Sequence, residues 1–450
     1  MTTRRDFAKI ISLGAAGTLA FGVTACGTKK EKHAGPMVWP SDKLNLAFVG
    51  INGRGSRNIE GLKDQNIVAL CDVDWGERSK PIFEAHPKAN RYKDYRVMLD
   101  KEKNLDGVVI STPDHTHAVI TMAAIKAGNN VLCEKPLAHS LYETREITKA
   151  AQEHGVQTLM GNQGHSSDSI REFYELIHAG AIGKVTEVHG WSQNPSGRGT
   201  TEPPEGEYKV PKTLDWDLWL GPAKTRPYHP EYLPGRWRKF ADFGSGQLGD
   251  FACHTLDPAF WALDLGTPEK IIASTTNRLK DDEHYYTYPE GSIITLNYPA
   301  RGDNPPVELK WYEGGLLPID DERFQDIEFV NFRIGALIVG EKGIIRHGSH
   351  GASYTKVYPF DKNSEIKKPP KLLERSKGHH ADWVNAIKTG KPSSANFNYG
   401  GPLTETANLG IAAMLYPNQE LEWDNENMRF PNFDDPLNII EPEFREGWSL

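Results

Sequence analysis

The sequence has 450 residues, with 52 Lys and Arg against 60 Asp and Glu, a formal net charge of −8. That length suits two domains, and 38% hydrophobic with 25% charged residues is ordinary for a folded globular protein. The acidic balance argues against nucleic acid as a partner, and four scattered cysteines do not make a disulfide framework.

Residues 1–26 read as an export signal, with a charged start, an apolar run over 10–23 and small residues ahead of Cys26. Arg4-Arg5 followed by Asp6, Phe7 and Lys9 resembles the twin-arginine signal, whose machinery carries proteins already folded. Val23-Thr24-Ala25-Cys26 resembles a lipobox. These features predict a periplasmic protein touching a membrane only through a lipid on Cys26. Residues 27–43 are polar and read as a tether. No later apolar stretch reaches the length of a membrane span.

From Leu44 the pattern changes. LNLAFVG, NIVALCDVD, GVVISTP, NNVLCEKPL and VQTLMGN read as short apolar strands, separated by helical stretches such as HAVITMAAIKAG. In SLYETREITKAAQEHG, Ser140 and Glu143 form a capping box and Gly155 ends the helix. Alternation through 44–165 predicts a Rossmann-type, doubly wound parallel sheet.

Strand, then Gly50-Ile51-Asn52-Gly53-Arg54-Gly55, then helix is the setting in which glycines let a backbone approach a pyrophosphate. A plain tight turn would explain the glycines alone, and Asn52 stands where the usual middle glycine would be. Asp72, ending the second strand, is placed to accept hydrogen bonds from an adenosine ribose. An acid there repels a 2′-phosphate and favours NAD, while Arg54 and Arg57 keep NADP open.

Beyond Gln163 the texture shifts. SIREFYELIHAGAIG reads as a helix and KVTEVHGWSQ as a strand, and residues 194–247 are aromatic and rich in Pro and Gly. KIIASTTNRL, SIITLNYPA, VELKWYEGG and ALIVGEKGIIRHG read as antiparallel strands, followed by helices in GHHADWVNAIKTG and LTETANLGIAAMLY.

Three groups carry chemistry. Glu134-Lys135-Pro136 ends the fourth strand, at the sheet edge where open α/β folds bind ligands. A Lys there can hold a hydroxyl and assist its deprotonation, or be a plain surface lysine. In DFGSGQLGDFACHTLDPAFWAL, Asp250, His254 and Asp257 fall at i, i+4 and i+7 on one helical face. Such a pair serves acid–base work, metal binding, or simply a cap beside a core histidine. The insertion with Trp216, Trp219, Tyr228, Tyr232, Trp237 and Phe240 offers faces for a pyranose ring, or packs its own loop; Arg236 and Trp237 are the leading substrate contacts.

Together GINGRGS, STPDHTHA, CEKPL and GDFACHTLD resemble the Gfo/Idh/MocA family of sugar oxidoreductases, over residues 44–420. The resemblance implies Lys135, Asp250 and His254 as the catalytic set, with His254 the principal acid/base at the reacting hydroxyl and no metal. It implies Thr112, Pro113, His115 and His117 beside the nicotinamide, and Glu134 as a cofactor-contacting acid. It implies an α/β domain over 166–450 on an open, mainly antiparallel sheet, serving substrate binding and homo-oligomer contacts in a dimer or tetramer. The expected activity is oxidation or reduction of a hydroxyl of a sugar, glycoside or cyclic polyol, with tightly held, internally recycled NAD. The alternatives are an NAD-dependent glycoside hydrolase working through a transient keto-sugar and a non-catalytic sugar-binding lipoprotein.

Overall fold

The computed structural model describes residues 42–450 apart from 278, 281–283, 320, 330–332 and 367. The signal read in residues 1–26 and nearly all of the tether lie outside the described residues.

Strand β1 (Asn45–Val49) pairs in parallel with β2 (Asn66–Cys71) on one side and β4 (Gly107–Ile110) on the other. With β3 (Asn90–Tyr92), β5 (Asn130–Cys133) and β6 (Thr158–Met160), they form a parallel sheet of order β3-β2-β1-β4-β5-β6. The strands are apolar along their length because both faces are covered. Ala47, Val49, Val108 and Ile110 pack into one cluster, while Leu46, Phe48, Val109 and Leu132 pack into another on the opposite face. The helix Leu141–His154 carries the expected capping box of Ser140 and Glu143, and Gly155 closes it at φ 65°.

The second sheet has order β13-β12-β11-β7-β10-β9-β8-β14. Its strands are β7 (Val185–Ser192), β8 (Lys270–Thr275), β9 (Ser292–Tyr298), β10 (Val307–Glu313), β11 (Ile334–Gly340), β12 (Gly343–Gly348), β13 (Lys356–Pro359) and β14 (Leu421–Glu422). All neighbours are antiparallel except β7 and β10, which run parallel at the centre. One face packs against the helices Gly246–Thr255 and Phe397–Leu415. On the other, Trp191, Leu337 and Val339 are covered by Phe324, Ile327 and Phe329 from the chain's own loop.

The chain then returns to the first sheet. Trp383, in the helix His379–Thr389, is fully buried among Leu46, Phe48, Val109 and Leu132. Its indole lies where a Cβ on Gly107 would stand, 2.8 Å away. Met160 N–H donates to Ala395 O at 2.8 Å, and Ser393 Oγ to Thr158 O at 2.6 Å. Residues 379–395 therefore complete the layer built on the first sheet, although they follow the second sheet in sequence.

Candidate active site and dinucleotide cleft

After β1 the backbone turns at Gly50, φ 78°, where a Cβ would strike the Ser111 carbonyl at 2.6 Å. Gly55 closes on Gly50 so tightly that a Cβ would lie 1.9 Å from its oxygen. Gly53 adopts φ 56°, ψ −109°, a backbone shape L side chains avoid, and its absent Cβ would meet nothing within 4 Å. That open space at the start of the helix Arg54–Gly61 fits a pyrophosphate. The Asn52 amide donates to Asp72 Oδ2 at 3.2 Å and to Ser79 Oγ at 2.8 Å. Asn52 thus braces the loop, and the free backbone belongs to Gly53. Asp72 also accepts the N–H groups of Ile51 and Asp74, both at 3.0 Å. Burial pushes its carboxyl up from the ordinary value, against these donors.

Across the loop, Glu134 Oε1 accepts from Arg54 Nε at 3.0 Å, Asn58 Nδ2 at 2.8 Å and Gln163 Nε2 at 3.2 Å. Asn58 Oδ1 in turn bonds His380 Nε2 at 3.0 Å, which ties this acid to the returning helix. Next in sequence, Lys135 Nζ donates to Asp250 Oδ1 at 2.6 Å and to the Asp250 backbone oxygen at 2.7 Å. Arg238 Nε lies 3.1 Å from the same carboxylate oxygen. Burial opposes ionisation of Asp250, but Lys135 and Arg238 outweigh it and hold the carboxyl below its ordinary value.

One turn on, His254 lines the same cleft, almost fully buried, and its Nδ1 has no hydrogen-bond partner among the described residues. Burial, then the charge of Lys135, lowers it well below the usual histidine range, so the ring is neutral near pH 7. The turn ahead of this helix is clamped from both sides: from the first sheet's side Asp114 Oδ2 accepts Ser245 N–H at 3.1 Å and His139 Nε2 bonds Gly244 O at 3.0 Å, and from the second sheet's side Tyr288 OH donates to Gly244 O at 2.8 Å. Two layers far apart in sequence thereby fix the Lys135–Asp250 pair.

Thr112, Pro113 and His117 also line the cleft. His117 bridges Pro136 O at 2.7 Å and Thr112 O at 2.9 Å. Burial opposes its charge, but Cys133, Asp114 and the Pro136 carbonyl outweigh it and raise it to about 9. His115 does not face the cleft. Its ring nitrogens meet the carbonyls of Trp219 at 3.0 Å and Phe243 at 3.2 Å, so it fastens the loop after β4 to the aromatic insertion. Asp257 also departs from the helical face predicted for it. The helix breaks before Pro258, and Asp257 is buried against His165 Nδ1 at 2.9 Å, Asn162 and Tyr399.

The aromatic insertion chiefly packs on itself. Trp216 stacks on Trp219 with centroids 4.8 Å apart, and Tyr232, Phe240 and Phe243 complete a small core. Trp219, Tyr228 and Trp237 reach the cleft, but Arg236 is exposed and does not line it; of the two arginines, Arg238 is the one that does. Both belong to one short turn, Arg236–Lys239, whose spacing does not reveal which faces inward. A further residue escaped the sequence reading altogether. His350, in the loop after β12, stacks on His254 with centroids 4.0 Å apart and planes 19° from parallel. The isolated SHG tripeptide that holds it offers no motif.

The cleft runs from Asp72 and Gly53 to Lys135, Asp250 and His254, and encloses about 590 Å³. Among the described residues, no group of three or more His, Cys, Asp or Glu side chains is arranged to hold a metal ion.

Comparison with known proteins accords with this geometry. The family model for an oxidoreductase family with an NAD-binding Rossmann fold matches residues 44–162, and its companion, the family's C-terminal alpha/beta domain, matches 177–314. Levoglucosan dehydrogenase from Pseudarthrobacter phenanthrenivorans is 23% identical over 309 residues, 64% of this chain and 66% of that protein. The chain thus spans just under two thirds of that relative's length. A glycosyl hydrolase family 109 protein from Solibacter usitatus is 28% identical over 467 aligned positions, 92% of this chain and 96% of its own. The structure of the WlbA dehydrogenase from Bordetella pertussis, in complex with NADH and UDP-GlcNAcA, shares the fold at a TM-score of 0.57 and 16% identity, covering 85% of this chain and 99% of that one. The two family models together cover more than half of the sequence, and the chain belongs to the Gfo/Idh/MocA oxidoreductase family.

Proposed function

We propose that this protein is an exported oxidoreductase that acts on a hydroxyl of a sugar, glycoside or cyclic polyol, using NAD held tightly and recycled in place. The observation that carries the reading is the convergence of Lys135, Asp250 and His254 at one end of a cleft whose other end is a phosphate loop. Bound NAD+ supplies the hydride acceptor. The Lys135 ammonium, oriented by Asp250, donates a hydrogen bond to the reacting oxygen and stabilises the negative charge that grows there. Neutral His254 accepts the hydroxyl proton and returns it in the reverse direction. Trp219 and Trp237 wall the cleft and limit water at the reacting carbon.

Asp72 favours NAD over NADP, since a 2′-phosphate would meet a carboxylate. The signal in residues 1–26 supports a periplasmic address, a lipid on Cys26 as the membrane contact, and twin-arginine export of the folded, loaded enzyme. Without a free nicotinamide pool outside the inner membrane, the cofactor must be regenerated by reduction of a second substrate. The family resemblance extends the reading to a homo-oligomer.

The test is to denature the purified protein, identify the released nucleotide and its redox state, and then incubate intact protein with a glycoside panel. Stoichiometric NAD(H) with a keto-sugar product is expected. Release of no nucleotide would overturn the resident cofactor; aglycone release without net oxidation would replace dehydrogenation with the keto-sugar route to hydrolysis.

A further inference from the structure

Beyond Asp72, the cleft continues to a wall built from two segments remote in sequence. The first belongs to the aromatic insertion. Residues 213–215 run antiparallel beside 73–75, with Asp215 N–H donating to Val73 O at 2.9 Å and Trp75 N–H to Thr213 O at 3.1 Å. Lys93 Nζ reaches the same Thr213 oxygen at 3.1 Å. The insertion is therefore stitched across the strand end that carries Asp72.

The second segment is 445–448. Arg445 N–H donates to Pro222 O at 3.0 Å, and its guanidinium holds Gly221 O and Asp217 O at 3.0 Å each, together with the Asp217 carboxylate. Trp448 N–H closes a turn onto Arg445 O at 3.0 Å. The turn sets the Trp448 indole, half-buried, at the cleft edge. There it faces the Tyr95 ring at 6.3 Å between centroids, with the Arg96 guanidinium 4.7 Å from the indole. The family's phosphate-loop chemistry does not require this arrangement, and the catalytic pair does not touch it.

A dinucleotide whose ribose meets Asp72 carries its adenine onward, and a flat heteroaromatic ring gains most from stacking on an aromatic side chain in a partly dry slot. We propose that Trp448 and Tyr95 receive the adenine and that 213–222 with 445–448 form a two-part cover over the adenosine half, pinned by Arg445, which makes the cofactor resident. The proposal rests on the reading of this cleft as an NAD site. It supplies the residues for retention, which the phosphate loop alone does not.

The test measures NADH release from the full chain after dilution into excess NAD+, following nicotinamide fluorescence, alongside binding of ADP-ribose and of reduced nicotinamide mononucleotide. Trp448→Ala is expected to speed NADH release and weaken ADP-ribose by about tenfold or more, with mononucleotide binding unmoved. Trp448→Phe should recover most of the loss, and Arg445→Ala should release faster although it leaves the indole in place. Circular dichroism of the nucleotide-free variants checks that each is folded. Release at the original rate in both Trp448→Ala and Arg445→Ala overturns the cover while leaving the dinucleotide site standing. Failure of the unaltered chain to bind either NADH or ADP-ribose overturns the dinucleotide reading, and the cover with it.

Discussion

Lys135 and Asp250 are joined by a 2.6 Å charge-assisted hydrogen bond in a nearly dry site. Together with the bond to the Asp250 backbone oxygen, this contact orients the ammonium and leaves one Nζ hydrogen for a ligand in the cleft. Methionine at 135 preserves the length and apolar stem of the side chain but removes every donor. Lys135→Met is expected to lower turnover by about two to four orders of magnitude while nucleotide still co-purifies, because Gly53, Asp72 and Arg54 are untouched. Single-turnover reduction of the bound nucleotide, set against nucleotide content per chain, checks this; ordinary turnover in that variant would remove Lys135 from the chemistry. Neighbouring identities explain why the sequence pointed to some residues and not others. His115 and His117 are two apart in one helix, hence about 200° apart around its axis, so the HTH tripeptide could put only one of them at the cleft. That geometric signal was available in the sequence. Nothing local distinguishes Arg236 from Arg238, and His350 reaches His254 only through closure of the second sheet.

At the scale of elements, the helix His379–Thr389 illustrates a part that no periodicity announces. Its sequence reads as an ordinary amphipathic helix after the second sheet, yet Trp383 fills a hole opened by Gly107 in the first. Removing a fully buried indole leaves a cavity that the rigid sheet cannot close, at a cost of about 3–5 kcal/mol. Trp383→Ala should lower the urea midpoint accordingly, and because His380 on the same helix bonds Asn58, it should also loosen the Glu134 cluster. A midpoint shift worth under about 1 kcal/mol would show that the helix is not integral to the nucleotide-binding layer. By contrast, most strands of both sheets, the phosphate loop, the capped helix at Ser140 and the Asp250–His254 spacing were legible, because each is encoded in a short consecutive stretch; the short edge strands β3, β13 and β14 were not read, having too few residues to show a pattern. The parallel β7–β10 pair was not, since pairing direction depends on a connection of more than a hundred residues.

Across the whole molecule, several histidines are buried and uncharged. His115 links the loop after β4 to the insertion, and burial lowers it to about 3. His379 links the returning helix to Met160 O at 2.8 Å and is lowered by burial to about 3; His347, inside the second sheet, to about 4. In the unfolded chain each takes up a proton as pH falls through its usual value near 6.5, whereas in the folded chain it does not. The unfolded state then binds more protons, so stability rises with pH across this window and is lost on acidification below about 6.5. At pH 5 the loss is up to about 2 kcal/mol per histidine. Glu175, which its hydrogen bonds to Arg375 pull down to about 2, is shifted in the same direction and follows the same stability trend, but acts only below about pH 4.5. The two contributions are therefore separable by pH. Urea unfolding at pH 7.5, 6.5, 5.5 and 5.0 should give a stability that declines steadily below 6.5; above it the histidine trend is the opposite one, a fall with rising pH from His117, which the fold raises to about 9. A flat profile down to pH 5 would mean that these rings are charged in the folded protein, or accessible enough to become so, and would remove them as neutral buried groups.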